Sequence, residues 1–137
     1  MPESEKEKKD ISNKADIKNL VDTFYSQVFE DKKIGFVFTE TTAIDWEKHM
    51  PIIYSFWDSV LFGTGDYKGN PIKKHIDLNQ KELLTEEMFD RWLLIWERSI
   101  QKLFEGPVAQ MALEKAANMK ILMLYKIKQS ESNNFIQ

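Results

Sequence analysis

The chain has no cysteine among its 137 residues, so no thiolate is available to bind a metal or act as a nucleophile. Histidine is scarce as well, since only His49 and His75 are present. Any metal-ligand or proton-transfer chemistry must therefore depend on these two imidazoles and on oxygen ligands. The lack of cysteine is compatible with the reducing cytoplasm, where we expect the protein to act.

The low content of glycine, proline, basic surface and long apolar runs argues against one fold class and two kinds of partner. Five glycines and four prolines leave little room for the turns of an all-β protein. A net charge of −3 and a pI near 5.5, with Lys and Glu interspersed, provide no basic face for nucleic acid. No apolar run is long enough to cross a bilayer, and the N-terminal residues have no apolar segment typical of a secretory signal. We expect a protein that binds neither nucleic acid nor membrane.

The length of the chain suits one domain with a substantial core, because 42% of its residues are hydrophobic and 12% are aromatic. Residues 1–11 form a charged leader with no apolar anchor, and residues 129–137 form a polar tail. We expect both ends to be disordered or frayed. The folded domain is predicted to span residues 12–128.

Within that domain, apolar residues recur at steps of three and four, which predicts helices. The first helix is expected to be capped by Ser12 or Asn13, the second by Asp45 and the third by Thr85, with a fourth following Pro107. A glycine-rich stretch from Gly63 onward ends the second helix, and a short helix over 72–78 follows it. No segment alternates with the period of a strand, so the predicted fold class is all-α.

The two histidines lie on apolar sides of these helices, and core histidines bonded to backbone groups are the ordinary interpretation of such a pattern. Tyr25 carries a hydroxyl into the apolar stripe of the first helix, where it needs a partner. Trp96 is at core spacing and is interpreted as a core residue. A zinc site is not supported, because two histidines on different helices would need carboxylate partners that no spacing supplies.

The order of the aromatic and histidine residues is more specific than any one of them. In chain order they are Phe24-Tyr25, Phe38, Trp46-x-x-His49, Phe56-Trp57, the glycine-rich stretch leading to Lys74-His75, and Trp92. This chain resembles a group III truncated haemoglobin from about residue 12 to residue 127, most closely over residues 46–78. The resemblance implies a two-over-two helical sandwich that encloses a haem.

The resemblance also implies roles for individual residues. His75 matches the proximal ligand of the haem iron, and Tyr25, His49 and Trp92 match the three distal residues that face the bound gas. His49 is expected to act as a gate to the pocket, since Tyr25 and Trp92 already supply two donors. Because the sequence has no Cys-x-x-Cys-His, the haem is expected to be b-type and non-covalent.

Further residues are expected to surround the haem. Phe38 matches the phenylalanine that stacks on it, and Ile53 and Trp57, one and two turns beyond His49, are expected to line the same cavity. The haem propionates need cationic or hydroxyl partners, and those nearby in the sequence are Tyr67, Lys68 and Lys74.

Reversible binding of dioxygen or another diatomic gas is the function that this resemblance favours. Peroxidase-like activity or oxidation of nitric oxide is the alternative within the haem class, with a separate reductase as a possible partner. A helical interaction module without a cofactor, in which both histidines are core residues, is the alternative from a different class. The oligomeric state is not indicated by the sequence.

Overall fold

The computed structural model describes residues 8–41, 45–65, 67, 69 and 84–136, most of which lie in helices. Within these ranges there are four α-helices: α1 is Lys14–Glu30, α2 is Trp46–Phe62, α3 is Glu86–Leu103 and α4 is Pro107–Ile136. A π-helical turn, Val37–Thr41, precedes α2. No β-strand occurs in these ranges, and the predicted all-α fold class is confirmed.

Helix α1 begins at the cap that the sequence predicts. The side chain of Asn13 accepts a hydrogen bond of 2.9 Å from the backbone N–H of Asp16, one of the N–H groups that a helix leaves unpaired in its first turn. The buried face of α1 then follows the helical repeat. Its apolar members are Ile17, Leu20, Val21, Phe24 and Val28.

A tight turn after α1 depends on Gly35. Its backbone N–H donates to the carbonyl of Asp31 at 2.9 Å, and a Cβ at this position would lie 2.9 Å from the carbonyl oxygen of Phe29. Only glycine permits so close an approach between backbone segments. The turn brings Val37 into the core, and it leaves Phe38 partly buried beside α1 and α2.

Asp31 joins this turn to α3. Its carboxylate accepts hydrogen bonds from the backbone N–H groups of Lys33 at 2.9 Å and Ile34 at 3.1 Å, and from Nε of Arg91 at 2.7 Å. The Asp31 side chain is only 5% exposed. This contact holds the start of α3 against the end of α1.

The starts of α2, α3 and α4 differ in how they are capped. Asp45 precedes α2 as predicted, but its side chain makes no capping hydrogen bond. Thr85 caps α3, because its hydroxyl oxygen accepts from the backbone N–H of Met88 at 3.2 Å. Helix α4 begins at Pro107, where the missing N–H removes no helical hydrogen bond.

The cap of α4 comes from the opposite end of the chain. The Asp10 carboxylate accepts from the backbone N–H groups of Val108 at 2.9 Å and Ala109 at 2.8 Å. Its neighbour Ile11 is 1% exposed and belongs to the core. The packed core therefore begins inside residues 1–11, which the sequence predicts to be a charged leader without an apolar anchor. Ile11 provides such an anchor.

We expect Asp10→Ala to lower the free energy of unfolding by about 1 kcal/mol, the usual contribution of a capping side chain. Although burial alone raises the pKa of Asp10, hydrogen bonds from the N–H groups of Val108, Ala109 and Ile11 hold that pKa below its ordinary value. The contribution of Asp10 to the free energy of unfolding is therefore complete above about pH 4, and it declines as the pH falls through the lowered pKa. Urea unfolding at neutral and acidic pH measures both effects.

The matched control is Asp45→Ala, since Asp45 also precedes a helix but makes no side-chain capping bond. We expect it to change stability by less than about 0.5 kcal/mol. An equal loss in the two variants would contradict a capping role for Asp10.

Trp96 of α3 lies at the centre of the core, as predicted. It is 1% exposed, and its indole N–H donates to the carbonyl of Ala112 in α4 at 3.1 Å. Its ring stacks on that of Trp57 in α2, with centroids 4.5 Å apart. This pair joins the two helices across the interior.

The helices form two stacked pairs. Helix α1 packs against α2 and α3, α3 packs against α4, and α2 contacts α4. The pair α1 and α2 therefore lies on the pair α3 and α4, which is the predicted two-over-two arrangement. None of the described helices is both long and apolar enough to span a membrane.

Helix α4 continues for nine residues after Ile127, to Ile136. Among its residues up to 131, whose exposure the structure describes, Ile127 is the last buried apolar one. The segment 129–137, predicted as a polar tail, is thus mostly helical in its backbone.

Candidate functional site

An aromatic cluster lies where α1, the π-helical turn and α2 meet. We define it as Tyr25 and Phe29 of α1, Phe38 of the turn, and Trp46 and His49 of α2. Ring centroids are 5.3 Å apart for Tyr25 and Trp46, 6.0 Å for Tyr25 and Phe38, and 5.4 Å for Trp46 and His49. The structure therefore brings together Tyr25, Phe38 and His49, three residues that the sequence predicts for one site.

The Tyr25 hydroxyl is the main polar group contributed to this cluster by α1. Burial among the rings raises the pKa of this phenol, so it stays protonated at neutral pH and can donate a hydrogen bond. No hydrogen bond joins the hydroxyl to any residue that the structure describes. Because no acceptor in the described part of the protein occupies this hydroxyl, the position suits a small ligand that accepts a hydrogen bond.

Trp92 approaches the same region from α3. Its ring meets that of Phe24 edge-on, with centroids 6.1 Å apart, and Phe24 in turn contacts Tyr25 at 4.9 Å. The indole is half-buried, and within the described part of the chain its N–H has no hydrogen-bond acceptor. The salt bridge between Asp31 and Arg91, the residue before Trp92, holds this end of α3 against α1.

His49 and Ile53 extend the site along α2. His49 is half-buried, and its ring meets Trp46 edge-on. Ile53 lies one turn further along the same face and packs against the core. Along α2, the site is therefore bordered first by the imidazole of His49 and then by the aliphatic side chain of Ile53.

The arrangement can favour a small ligand that carries partial negative charge. Tyr25 in its protonated form supplies an O–H donor and the Trp92 indole supplies an N–H donor, and the rings around Tyr25 provide apolar surface beside them. Among the described residues, no three histidine, aspartate or glutamate side chains are grouped to hold a metal ion. The described part of the site thus supplies donors and apolar walls.

Comparison with known proteins agrees with this geometry. Residues 9–125 match the family model described as bacterial-like globin. The chain belongs to the bacterial-like globin family. The globin is 34% identical over 120 residues to the group 3 truncated hemoglobin ctb of Campylobacter jejuni. The aligned region covers 83% of this chain and 92% of that relative.

A solved structure supports the same assignment. The globin matches the crystal structure of a group III truncated hemoglobin from Campylobacter jejuni with a TM-score of 0.76 and 29% identity. The match covers 88% of this chain and 94% of that chain. The resemblance to group III truncated haemoglobins and the truncated-globin fold are therefore confirmed.

Membership of a globin family implies haem binding, and the described residues of this globin fit a haem. A haem brings a gas-binding iron to one side of the pocket, and a gas on that iron accepts hydrogen bonds. The unpartnered Tyr25 hydroxyl and Trp92 N–H are groups of the required kind, and Phe38 and Ile53 supply apolar surface. Tyr25, Phe38, Ile53 and Trp92 would face the haem or its ligand.

Two other predicted haem-lining residues are placed away from the aromatic cluster. Trp57 is 5% exposed, and its ring stacks on Trp96 and packs against the core. Tyr67 is half-buried; its backbone N–H donates to Oγ of Ser59 at 3.0 Å, and its ring meets Phe56 edge-on at 5.1 Å. Their contacts with haem stay predictions.

His75, Lys74 and Lys68 lie outside the described residues. The predicted iron ligand and the two lysines proposed for the propionates are therefore supported by the sequence resemblance alone. The predicted short helix over 72–78 lies in the same segment.

Three residues of the site were missed or undervalued at the level of sequence. Phe29 lies four residues after Tyr25 and so shares its face, a signal that was present in the helical repeat. Trp46 was identified as part of the motif without a place in the pocket, and it contacts Tyr25, Phe29 and Phe38. Arg91 has no local signal, because its partner Asp31 is 60 residues away.

Proposed function

We propose that this globin binds dioxygen and other diatomic gases reversibly at a ferrous b-type haem. His75 would be the proximal ligand, and Tyr25 and Trp92 would donate hydrogen bonds to the bound gas. The haem, when bound, supplies an iron with one position open to a gas. The protein would supply the axial imidazole, the two donors and the apolar walls.

The Tyr25 hydroxyl carries this proposal. Dioxygen on ferrous iron has partial negative charge on its outer atom, so it prefers a donor to a lone pair. Burial keeps Tyr25 protonated, and its hydroxyl has no acceptor among the described residues. A bound gas would supply the acceptor that this group lacks.

Trp92 would provide the second donor. Its indole N–H can only donate, and its ring lies beside Phe24, which in turn contacts Tyr25. Two donors that hydrogen-bond a gas slow its release. We therefore expect tight binding, which suits retention or chemistry of the gas better than its delivery.

One experiment tests the function as a whole. The purified protein, supplied with hemin and then reduced, is expected to show the Soret band of a histidine-bound haem, and this band is expected to shift when carbon monoxide is added. A protein that gives no Soret band with hemin would contradict the proposal.

The same two donors support a second candidate function, because polar distal groups also assist cleavage of an O–O bond. Sustained turnover of peroxide with an electron donor, or of nitric oxide with a separate reductase, would distinguish catalysis from reversible binding.

We expect His49→Leu to change the rate of carbon monoxide association, because His49 lies half-buried at the α2 edge of the cluster and would act as a gate. An imidazole that becomes protonated is drawn towards water, so the difference from wild type is expected to vary between about pH 5 and 8. Flash photolysis across that range measures it. Equal association rates at all pH values would count against gating.

A further inference from the structure

Helix α4 carries apolar residues on two opposite faces. One face packs against α3 and the core through Ala109, Ala112, Ala116, Met123 and Ile127. On the other face Ile121 is 64% exposed, Tyr125 56% and Leu122 43%. A surface helix of a globular protein usually has one apolar stripe, so the second indicates a surface that another molecule covers.

The exposed face has a regular repeat. Its residues lie alternately three and four positions apart, and we call them the α4 stripe: Met111, Glu114, Asn118, Ile121, Tyr125 and Lys128. All six are exposed. This is the spacing by which two helices pack side by side along a seam.

The charges of the α4 stripe select the partner and its direction. Glu114 and Lys128 are equally far from Ile121, seven residues before it and seven after it. An antiparallel copy of the helix, related by a two-fold axis at Ile121, would therefore place each Glu114 opposite Lys128 of the other copy. A parallel copy would place like charges together, which is unfavourable.

Ile121, Asn118 and Tyr125 suit the same arrangement. Ile121 of each copy would meet its equivalent at the axis, and Asn118 would lie beside Tyr125 of the other copy. The Tyr125 hydroxyl already accepts a hydrogen bond from Gln129 at 3.0 Å, so it can donate to an amide oxygen. We propose that the globin forms a homodimer through antiparallel pairing of the α4 stripe.

The size of the stripe limits the strength of this dimer. Residues 111–128 span about 26 Å of helix, and side-by-side packing over that length buries roughly 400–500 Å² on each copy, below the ~800 Å² of a standard stable interface. We therefore expect a reversible dimer with a Kd of roughly 0.1–1 mM. The family match ends at residue 125, so Lys128 lies beyond the part shared with the family model.

Sedimentation of the haem-loaded protein between about 0.01 and 1 mM tests the association. The expected result is a concentration-dependent dimer that is lost in Ile121→Glu, a change to a good helix former on an exposed position. The matched control is Ile52→Glu on α2, where Ile52 is 42% exposed, and it should dimerise as wild type does. A monomer at every concentration, or a dimer insensitive to Ile121→Glu, would overturn the proposal.

Charge exchange tests the antiparallel register. Glu114→Lys and Lys128→Glu should each abolish the dimer detected at up to about 1 mM, because each change acts twice at a two-fold interface. The double variant should restore the Kd to within about twofold of wild type, since the residues lie about 21 Å apart within one helix and cannot rescue each other there. Failure of the double variant to recover would exclude this register and overturn the proposal.

The lack of cysteine allows a direct test of the axis. A single Ile121→Cys should form an intermolecular disulfide under mild oxidation, and at least about tenfold faster than Ile52→Cys, because only residues opposite each other satisfy disulfide geometry. Equal rates would contradict the axis at Ile121. A protein that stays monomeric yet sediments with phosphatidylglycerol vesicles would overturn the dimer in favour of a membrane surface.

Discussion

Replacing Tyr25 by phenylalanine is expected to speed oxygen release about ten- to hundredfold, because a hydrogen bond to a charged acceptor contributes about 1.5–3 kcal/mol. Phenylalanine keeps the ring but has no group that can donate to the bound gas. The association rate should change much less, since the substitution retains the ring. Stopped-flow measurement of dioxygen dissociation from the reduced protein gives the effect directly.

Tyr54→Phe on α2 is the matched control. The Tyr54 hydroxyl donates to the Asp22 carboxylate away from the cluster. Burial, and to a lesser extent the neighbouring Asp22, raises the pKa of Tyr54 to about 12. Its removal should leave oxygen release unchanged. A Tyr25→Phe protein with the wild-type release rate would remove Tyr25 from the binding mechanism.

The stability of Tyr25→Phe provides a second readout. Because the hydroxyl has no partner among the described residues, its removal in the haem-free protein should leave the free energy of unfolding unchanged or slightly increase it. Tyr54→Phe removes a formed hydrogen bond, and we expect it to cost about 1 kcal/mol. The two variants should thus show opposite patterns in stability and in oxygen release.

His75→Gly is expected to remove the proximal ligand and to leave a space that free imidazole can fill. Haem transfer from the variant to an acceptor such as apomyoglobin should be at least about tenfold faster than from wild type, equivalent to about 1.4 kcal/mol of lost binding. Millimolar imidazole should restore the spectrum of a histidine-bound haem. Absorption of the ferrous protein, with and without imidazole, measures both changes.

His49→Gly is the control for that experiment, since it removes the other histidine of the chain. It should retain the proximal spectrum without added imidazole. If His75→Gly kept that spectrum and His49→Gly lost it, the assignment of the iron ligand would be reversed.

The sequence was sufficient to predict features that depend on neighbouring residues. The caps at Asn13 and Thr85, the start of α4 at Pro107 and the core position of Trp96 all follow from local chemistry or from the helical repeat. The grouping of Tyr25, Phe38 and His49 in one cluster required more than periodicity. They were predicted because the order of the motif residues resembles a known family.

Contacts between distant parts of the chain were not predictable in this way. Asp10 reaches Val108 over 98 positions, and Arg91 reaches Asp31 over 60. A carboxylate in a charged segment has no pattern that identifies a helix end so far away as its partner. Asp45 shows the reverse case, since a suitable residue at a suitable position makes no capping bond.

Asp31 has a consequence for how the protein responds to acid. Burial alone raises the pKa of this carboxyl, but hydrogen bonds from Arg91, Lys33 and Ile34 together with the arginine charge hold the pKa below its ordinary value. The link between the Phe38 turn and the Trp92 end of α3 therefore survives mild acidification, because the carboxylate stays charged until the pH falls through that lowered pKa. The two sides of the candidate site should thus keep their relative positions in weakly acidic solution, and only stronger acid should let them separate.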